Sequence, residues 1–190
     1  MNFIKFLFNC IAGILIFTIL SPILLIVTIL ILIVDQTNPL FIQDRVGLKG
    51  KTIIVFKFRT LQANESRGEI NPVKKNDKRI TKLGKYLRLM NIDELPQLLN
   101  IIKGDMNFIG PRPLALSQDE VYKKNIKDWD KRSMIKPGIT GLSQSLQLNG
   151  GDNLKKYKLV NKLDLYYIRK RSLTLDFKII IKTIKSILKI

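Results

Sequence analysis

A nearly unbroken apolar run over residues 6–34 limits the folds open to this chain more than any other feature. It is longer than the ~20 residues that an α-helix needs to cross a bilayer. It is also too long for a signal peptide, and no small-residue cleavage site ends it. Ser21-Pro22 lies near its centre, where proline removes one helical hydrogen bond and clashes with the preceding turn. The run predicts a membrane helix that either spans the bilayer with a kink or bends back to the face it entered from.

Charged residues are concentrated after this apolar run. Lys5 is the only charged side chain before Asp35, so +17 of the net charge of +18 lies after Val34. Basic flanks favour the cytoplasmic side of a membrane, and two basic flanks favour re-entry over spanning. The excess also attracts the phosphates of lipids, nucleotides or nucleic acids. Because the chain has no recognised nucleic-acid module, we predict no nucleic-acid partner.

The composition excludes several kinds of catalytic site. The chain has no histidine, so Ser-His-Asp triads and HExxH zinc sites cannot form. Its single cysteine, Cys10, lies in the apolar run and can form neither an intramolecular disulfide nor a cysteine zinc cluster. An enzyme of this composition must use carboxylates, hydroxyls, lysine, arginine or a hard metal ion. That set of groups indicates phosphoryl transfer.

Two adjacent carboxylates, Asp93 and Glu94, form the strongest candidate for a catalytic site. Pro96 fits only the first turn of a helix, and we expect that helix to end at Gly104. Asp93 then lies at or just before the helix start, where free N–H groups keep a carboxylate ionised and attract anions or a phosphate-bridged cation. The same pattern also fits an N-cap followed by a favourable first-turn charge.

The rest of the chain predicts a mainly helical α+β fold. We predict loops over 35–50 and 62–76, a strand over 51–60, a turn over 136–141, and helices over 77–90, 117–134, 155–171 and 173–190. Lys57 and Arg59 are two residues apart, so the strand would place both on one face. Trp129 is expected to pack in a core. Lysines recur at helical spacing in the last helix, which fits an interfacial membrane helix and a helix over the protein's own core equally well.

A series of short motifs in unbroken order runs from about residue 21 to residue 176. The matching positions are Ser21-Pro22, Gln43-x-Arg45-x-Gly47, Lys57-Phe58-Arg59-Thr60, Asp77-x-Arg79-x-Thr81-x-x-Gly84, Arg88, Asp93-Glu94-Leu95-Pro96-Gln97-Leu98, Lys103-Gly104-Asp105-Met106, Gly110-Pro111-Arg112-Pro113, Pro137-Gly138-Ile139-Thr140-Gly141 and Asp164-x-Tyr166-Tyr167. With these motifs the sequence resembles the small monotopic phosphoglycosyl transferases, also called bacterial sugar transferases.

The resemblance implies a reaction at a membrane. Such enzymes transfer a sugar-1-phosphate from a nucleotide sugar, usually a UDP-sugar, to a polyprenol phosphate such as undecaprenyl phosphate. The reaction opens bacterial glycan assembly on the cytoplasmic face of the inner membrane. By resemblance, Asp93 is the nucleophile that forms an aspartyl-phosphosugar intermediate, and Mg²⁺ is held near Asp93 and Glu94.

The resemblance also implies an architecture and a set of partners. A re-entrant helix-break-helix over residues 1–34, bent near Ser21 and Pro22, would precede a cytoplasmic catalytic domain over 35–190 with short strands and interfacial amphipathic helices. Membrane lipid, polyprenol phosphate and a nucleotide sugar are the expected partners, and a homodimer is compatible with the sequence.

Basic residues along the matching motifs are candidates for binding the diphosphate of the donor. Arg88 and Arg112 come first because guanidinium groups match phosphate oxygens bidentately, and two prolines hold Arg112 in a rigid turn. The further candidates for phosphate binding are Lys57, Arg59 and Arg79. The candidates for donor binding are Gln144 and Asp164, and a salt bridge within a helix explains Asp164 equally well.

The sequence departs from the family pattern after Gly141. The family usually continues Trp-Ala-Gln-Val-Asn-Gly-Arg-Asn, whereas this chain has neither the tryptophan nor the arginine there. A function of a different class also fits the charges, namely a non-catalytic basic membrane-surface binding protein in which Asp93 and Glu94 only cap a helix. Its lipid binding would be insensitive to Asp93→Asn.

Overall fold

A computed structural model describes residues 3–62, 77–148 and 153–188, and helices predominate in it. The helices are α1 (Phe3–Leu30), α2 (Lys82–Leu89), α3 (Leu98–Ile102), α4 (Leu116–Asn125), α5 (Leu142–Ser145), α6 (Leu154–Lys170) and α7 (Leu173–Leu188). A π-helical turn covers Ile31–Asp35, and 3-10 turns cover Leu48–Gly50, Ile92–Gln97 and Trp129–Met134. The strands are β1 (Leu40–Val46), β2 (Thr52–Phe58), β3 (Asn107–Ile109) and β4 (Gly138–Thr140). β1 pairs with β2, and β3 pairs with β4 in parallel.

The chain folds into two compact units. Unit 1 comprises Met1–Gln43 and Ile54–Gly104, and unit 2 comprises Asp44–Ile53 and Asp105–Ile190. The predicted mainly helical class with short strands is confirmed. The division into a membrane segment over 1–34 and a domain over 35–190 stays a prediction. The predicted loop over 62–76 lies outside the described residues, apart from Gln62.

Helix α1 continues through Pro22 as one helix, not as two helices separated by a break. Pro22 has no N–H to offer the carbonyl of Thr18, four residues earlier. The hydroxyl of Ser21 donates to that carbonyl at 2.8 Å, so the freed acceptor is satisfied as expected for an intramembrane proline. Among the described residues, one helix, Lys5–Asp35, is long and apolar enough to cross a membrane.

One side of α1 packs against the protein, and the rest of its apolar surface is exposed. One buried cluster of unit 1 combines a stripe on α1 and its turn with residues of β2 and α2: Leu24, Val27, Ile31, Phe58 and Leu87. Phe8 and Ile19, by contrast, are 68% and 73% exposed. An exposed apolar helix surface of this extent is what a membrane environment would cover.

Two segments that were predicted as irregular are strands. Residues 40–46, which were predicted as part of a loop, form β1. Their composition alone does not demand a strand, but pairing with β2 supplies the backbone hydrogen bonds that stabilise one. The predicted turn over 136–141 contains β4, which pairs with β3 through Asn107 opposite Gly138 and Ile109 opposite Thr140. The strand predicted over 51–60 is confirmed as β2.

Two helix predictions were too long. α2 starts at Lys82 instead of residue 77, because the side chain of Thr81 accepts a hydrogen bond from the N–H of Gly84 and caps the helix there. The helix predicted over 117–134 is divided into α4 and a 3-10 turn, with Asp128 between them at a left-handed φ of 59°. The helix predicted over 155–171 is confirmed as α6.

Unit 2 contains an aromatic core and the amphipathic helix α7. Tyr122 stacks on Tyr157 with ring centroids 4.0 Å apart, and Trp129, which is 1% exposed, packs beside them as predicted. On α7, Ile179 is buried in a second cluster, whereas Phe177 is 63% exposed. The helix thus covers the core of its own unit with a narrow side and leaves most of its apolar surface outside.

Candidate active site

The acid pair lies in the 3-10 turn that leads into α3. Asn91 precedes the turn in a left-handed conformation, with φ at 55°, and its side chain makes no capping hydrogen bond. Asp93 is therefore not the N-cap but the buried second residue of the turn, beside the free N–H groups of a helix start. Pro96, predicted in the first turn of a helix, is the fifth residue of this 3-10 turn. As predicted, the helix ends before Gly104, whose φ is +82°.

Lys57 on β2 holds one member of the acid pair. Its Nζ lies 2.8 Å from Oε1 of Glu94, and the two side chains are 15% and 17% exposed. Asn100 of α3 keeps β2 in place, because its side-chain amide donates to the carbonyl of Ile54 and its Oδ1 accepts from the N–H of Phe56. The strand that carries Lys57 is therefore tied to the helix that follows Glu94.

Arg88 of α2 lies within electrostatic range of the same carboxylates. Its Nε donates to the hydroxyl of Thr60 at 2.7 Å. Burial lowers the pKa of the Arg88 guanidinium below its usual value, and the negative charges of Asp93, Asp77 and Glu94 offset this lowering only in part. A half-buried arginine remains protonated at neutral pH. Arg88 therefore places a fixed positive charge within electrostatic range of the acid pair.

The other two predicted phosphate-binding cations of unit 1 have local partners. Arg79 binds Asp77 through both sides of its fork, with Nε 2.9 Å from Oδ1 and one terminal nitrogen 2.7 Å from Oδ2. Arg59 donates to the carbonyl of Asn38 at 2.9 Å and lies over the ring of Phe41. The structure therefore brings Lys57 and Arg88 to the acid pair, while Arg59 contacts the segment before β1.

The predicted donor-binding residues of unit 2 are buried in a polar network. Asp164 is 1% exposed, and its Oδ2 accepts from Arg132 at 2.7 and 3.2 Å. Its Oδ1 accepts from the hydroxyl of Ser143, which also contacts Gln144. The salt-bridge explanation of Asp164 is therefore correct, although its partner lies in a 3-10 turn and not in the same helix.

Arg112 lies in unit 2 on the wall of a small cleft. The cleft is lined by Val46, Gly47, Pro111, Arg112, Asp119, Arg132, Ser133, Ile135 and Pro137. A terminal nitrogen of Arg132 donates to the carbonyl of Arg112 at 3.1 Å. The backbone of the Pro-Arg-Pro turn is thus held by a buried ion pair, as well as by its own prolines.

The acid pair provides a donor set that suits Mg²⁺. No group of three or more histidine, cysteine or acidic residues suited to a metal occurs in the described part of the chain. Mg²⁺ is commonly held by one or two carboxylates together with water and substrate phosphates. Asp93 and Glu94 meet that requirement, and Lys57 keeps Glu94 in a defined position beside it.

Comparison with known proteins identifies the family. The whole chain, residues 1–190, matches the family model described as bacterial sugar transferase. The chain belongs to the bacterial sugar transferase family. This confirms the resemblance that its motifs indicated.

Relatives with assigned names share most of this chain. It is 41% identical over 181 residues to a UDP-glucose:undecaprenyl-phosphate glucose-1-phosphate transferase of Klebsiella pneumoniae. That match covers 95% of this chain and 39% of the relative. It is 35% identical over 185 residues to a protein of the same name from Caulobacter vibrioides, covering 97% and 69%. It is 33% identical over 186 residues to a UDP-N-acetylgalactosamine-undecaprenyl-phosphate N-acetylgalactosaminephosphotransferase of Aeromonas hydrophila, covering 98% and 44%. This sugar transferase chain thus spans about two fifths of the first of these relatives.

Four residues that support this arrangement were not singled out as site residues from the sequence. Thr60 contacts Arg88, Asp77 binds Arg79, Asn100 anchors β2, and Arg132 neutralises Asp164. Thr60 and Asp77 do stand in the family motifs, which was the available signal. The partners of Thr60, Asn100 and Arg132 are 28, 46 and 32 residues away in sequence, so spacing alone does not reveal these contacts.

Proposed function

We propose that this bacterial sugar transferase moves a sugar-1-phosphate from a UDP-sugar to a polyprenol phosphate such as undecaprenyl phosphate. The observation that carries the proposal is the acid pair in one turn, with Lys57 bound to Glu94 and Arg88 within range of both carboxylates. The names of the relatives, which are undecaprenyl-phosphate sugar-phosphate transferases, support the same reaction class.

In the proposed mechanism, a carboxylate oxygen of Asp93 attacks the phosphorus that bears the sugar. A new O–P bond forms as the bond to the bridging oxygen breaks, and uridine monophosphate leaves with that electron pair. An oxygen of polyprenol phosphate then attacks the same phosphorus, displaces Asp93 and yields a polyprenol diphosphate sugar. Lys57 and Arg88 offset the phosphate charge in both steps, and the covalent intermediate lets a soluble donor and a lipid acceptor react in turn.

Asp93 and Glu94 would hold the Mg²⁺ of the proposed enzyme. When bound, the ion would supply charge neutralisation on the phosphate oxygens. Lys57 orients the Glu94 carboxylate through its 2.8 Å contact, so that the second ligand is in place before donor binds.

We further propose that the chain lies in the bacterial cytoplasmic membrane, with the remainder on the cytoplasmic face and with α1 re-entrant by a bend at Ser21-Pro22 that leaves the helix unbroken. The exposed apolar surfaces of α1 and α7, Lys5 and the basic remainder support this placement. A cysteine introduced at residue 2 of a Cys10→Ser variant should react with an impermeant thiol reagent only from the cytoplasmic side. Labelling from the outer side would contradict re-entry. Homodimer formation stays a prediction.

The decisive experiment compares the purified wild type with Asp93→Asn and with Glu120→Gln, a change at an exposed acid of α4. Each protein receives polyprenol phosphate, Mg²⁺ and a panel of UDP-sugars, and release of uridine monophosphate is followed. We expect release from the wild type and the Glu120→Gln control and a fall of about 10³-fold or more in Asp93→Asn. Mass spectrometry of protein incubated with donor alone should show a phosphosugar on the peptide that contains Asp93.

Two outcomes would contradict the proposal. A folded wild type that binds lipid but releases no nucleotide from any donor would favour the non-catalytic membrane-surface binder. Equal release from the wild type and Asp93→Asn would exclude Asp93 as the nucleophile.

A further inference from the structure

We infer that Thr60 is a positioning residue, which orients the Arg88 guanidinium towards the acid pair. This inference rests on the proposed function, in which Arg88 binds the phosphates of the donor. The hydroxyl oxygen of Thr60 accepts the Nε–H of Arg88 at 2.7 Å, and Thr60 is 4% exposed. A hydrogen bond that a charged guanidinium donates to a buried hydroxyl is shorter and stronger than one between two neutral groups.

Thr60 itself is held rigidly, as a positioning residue must be. Its carbonyl accepts the N–H of Thr81 at 3.0 Å. Gly84 of α2 approaches so closely that a Cβ there would overlap the carbonyl oxygen and Cα of Thr60. Only glycine allows the helix to lie against the backbone of Thr60 in this way. The distance between Thr60 and Arg88, one turn further along α2, is fixed by that approach.

The hydrogen bonds of Thr81 connect the end of α1 to the candidate active site. The side chain of Thr81 caps α2 by accepting the N–H of Gly84, and its hydroxyl donates to Oδ2 of Asp35 at 2.8 Å. Asp35 is the last residue of the turn that follows α1. A continuous series of hydrogen bonds therefore runs from Asp35 through Thr81 and Thr60 to Arg88.

The bond from Nε determines what the rest of the guanidinium can do. Within the described residues, it is the only hydrogen bond of the Arg88 side chain. Since the guanidinium is planar, fixing Nε also fixes the plane of both terminal nitrogens. Their four N–H groups remain for phosphate oxygens beside Asp93 and Glu94, whose charges act on Arg88. Without the hydroxyl, the group would rotate about its last side-chain bonds and lose that orientation.

The test removes and restores the hydroxyl. Thr60→Val keeps the shape of threonine without the acceptor, and Thr60→Ser keeps the acceptor without the methyl group. We expect Thr60→Val to lower kcat/KM for donor about 10- to 100-fold, as for a misplaced catalytic group, while Thr60→Ser stays within about threefold of the wild type. Thermal melts check that all variants are folded.

A double-mutant comparison separates positioning from packing. In an Arg88→Met background the hydroxyl has no guanidinium to orient, so adding Thr60→Val should cause no further loss of kcat/KM. A full additional loss in that background, or equal losses in Thr60→Val and Thr60→Ser, would overturn the inference and assign Thr60 to packing.

A measurement that does not depend on turnover keeps the inference separate from the proposed function. The Nε–H proton of Arg88, assigned by its absence in Arg88→Lys, should exchange slowly with solvent in the wild type and in Thr60→Ser, and rapidly in Thr60→Val. Unchanged exchange in Thr60→Val would refute the contact even in an inactive protein. A wild type with slow exchange but no nucleotide release from any donor would instead refute the proposed function. An active wild type with unaltered kinetics in Thr60→Val would refute only the inference.

Discussion

Both units pair a cation with a carboxylate, yet the two pairs differ in burial and in the balance of charge around them. In unit 1, Lys57 and Glu94 are 15% and 17% exposed. In unit 2, the side chains of Arg132 and Asp164 are only 5% and 2% exposed. Asp164 also accepts a hydrogen bond from Ser143, so both of its oxygens are satisfied inside the protein.

The two ion pairs differ in whether their charged groups are left available to bind a ligand. A buried pair with every oxygen satisfied has nothing left to offer a ligand, and its desolvation makes the loss of one partner costly. The pair in unit 1 stands beside a second carboxylate, Asp93, and a further cation, Arg88, and it keeps contact with solvent. Asp164 therefore supports the fold of unit 2, whereas the unit 1 cluster is suited to phosphates.

The largest effect should come from breaking the buried pair. Asp164→Asn leaves Arg132 buried without its countercharge, so we expect the free energy of unfolding to fall by about 3–5 kcal/mol. Asp93→Asn should lower it by about 1 kcal/mol or less while abolishing nucleotide release, because the role proposed for Asp93 is chemical. Denaturant titration in detergent, with release of uridine monophosphate measured alongside, checks both expectations.

A charge-free replacement provides the control for this prediction. Arg132→Met combined with Asp164→Leu removes both charges, so much of the stability lost in Asp164→Asn should return. If Asp164→Asn were as stable as the wild type but inactive, the assignment of Asp164 to architecture would be wrong.

A smaller effect on stability is expected from the partly buried pair of Lys57 and Glu94 in unit 1. Lys57→Met should lower the free energy of unfolding by about 1–2 kcal/mol, less than the loss in unit 2, because both side chains of this pair keep some contact with solvent. The rate should fall about tenfold, since one positive charge near the phosphates is lost. The Mg²⁺ concentration for half-maximal rate should increase, because Glu94 is no longer held in position by the ammonium group. Lys51→Met, at an exposed position before β2, is the matched control. An unchanged Mg²⁺ requirement would contradict the proposal that Glu94 is a ligand of the metal ion.

The smallest expected effect is the pH dependence of stability that Tyr167, a buried residue of unit 2, contributes. Burial, followed by the 2.6 Å hydrogen bond to Asp176, raises the pKa of Tyr167. The folded state then keeps the phenol proton after the unfolded state begins to lose it near pH 10. Stability from this residue is complete below about pH 10 and decreases as the pH rises, by at most about 1.4 kcal/mol per unit for one proton.

Tyr167→Phe isolates that contribution. The other tyrosines and the lysines titrate in both proteins, so the difference between wild type and Tyr167→Phe in unfolding free energy should be constant below about pH 10 and shrink above it. A difference that stays constant up to pH 11 would show that the pKa of Tyr167 is not raised.

Much of the candidate site could be predicted from local sequence. Pro96 and Gly104 indicated the start and end of a helix, and Asp93, expected at or just before the start, lies in the 3-10 turn that leads into α3. The hydroxyl of Ser21 was expected to satisfy the carbonyl freed by Pro22, and it does. These predictions succeeded because each depends on neighbours within about four residues, where backbone geometry leaves few alternatives.

Assignments that depend on distant partners could not be made in this way. Asp164 was weighed as a donor-binding residue or as part of a helix salt bridge, and its partner proved to be Arg132, 32 residues away. Arg59 was grouped with Lys57 on one strand face, but β2 ends before it and its side chain contacts Asn38. Residues predicted as a loop became β1, because a strand is completed by the hydrogen bonds of its partner.

The order of the motifs was sufficient to identify the family, and the apolar run and the absence of histidine were sufficient to predict an association with membranes and carboxylate chemistry. They suffice because composition and local spacing limit which groups are available at all. Only the tertiary structure decided which cations reach the acid pair and which carboxylates are buried, including the contact of Thr60 with Arg88. Those outcomes depend on packing between segments far apart in the chain, such as Gly84 against Thr60, and the desolvation that determines the behaviour of a charge exists only after they have met.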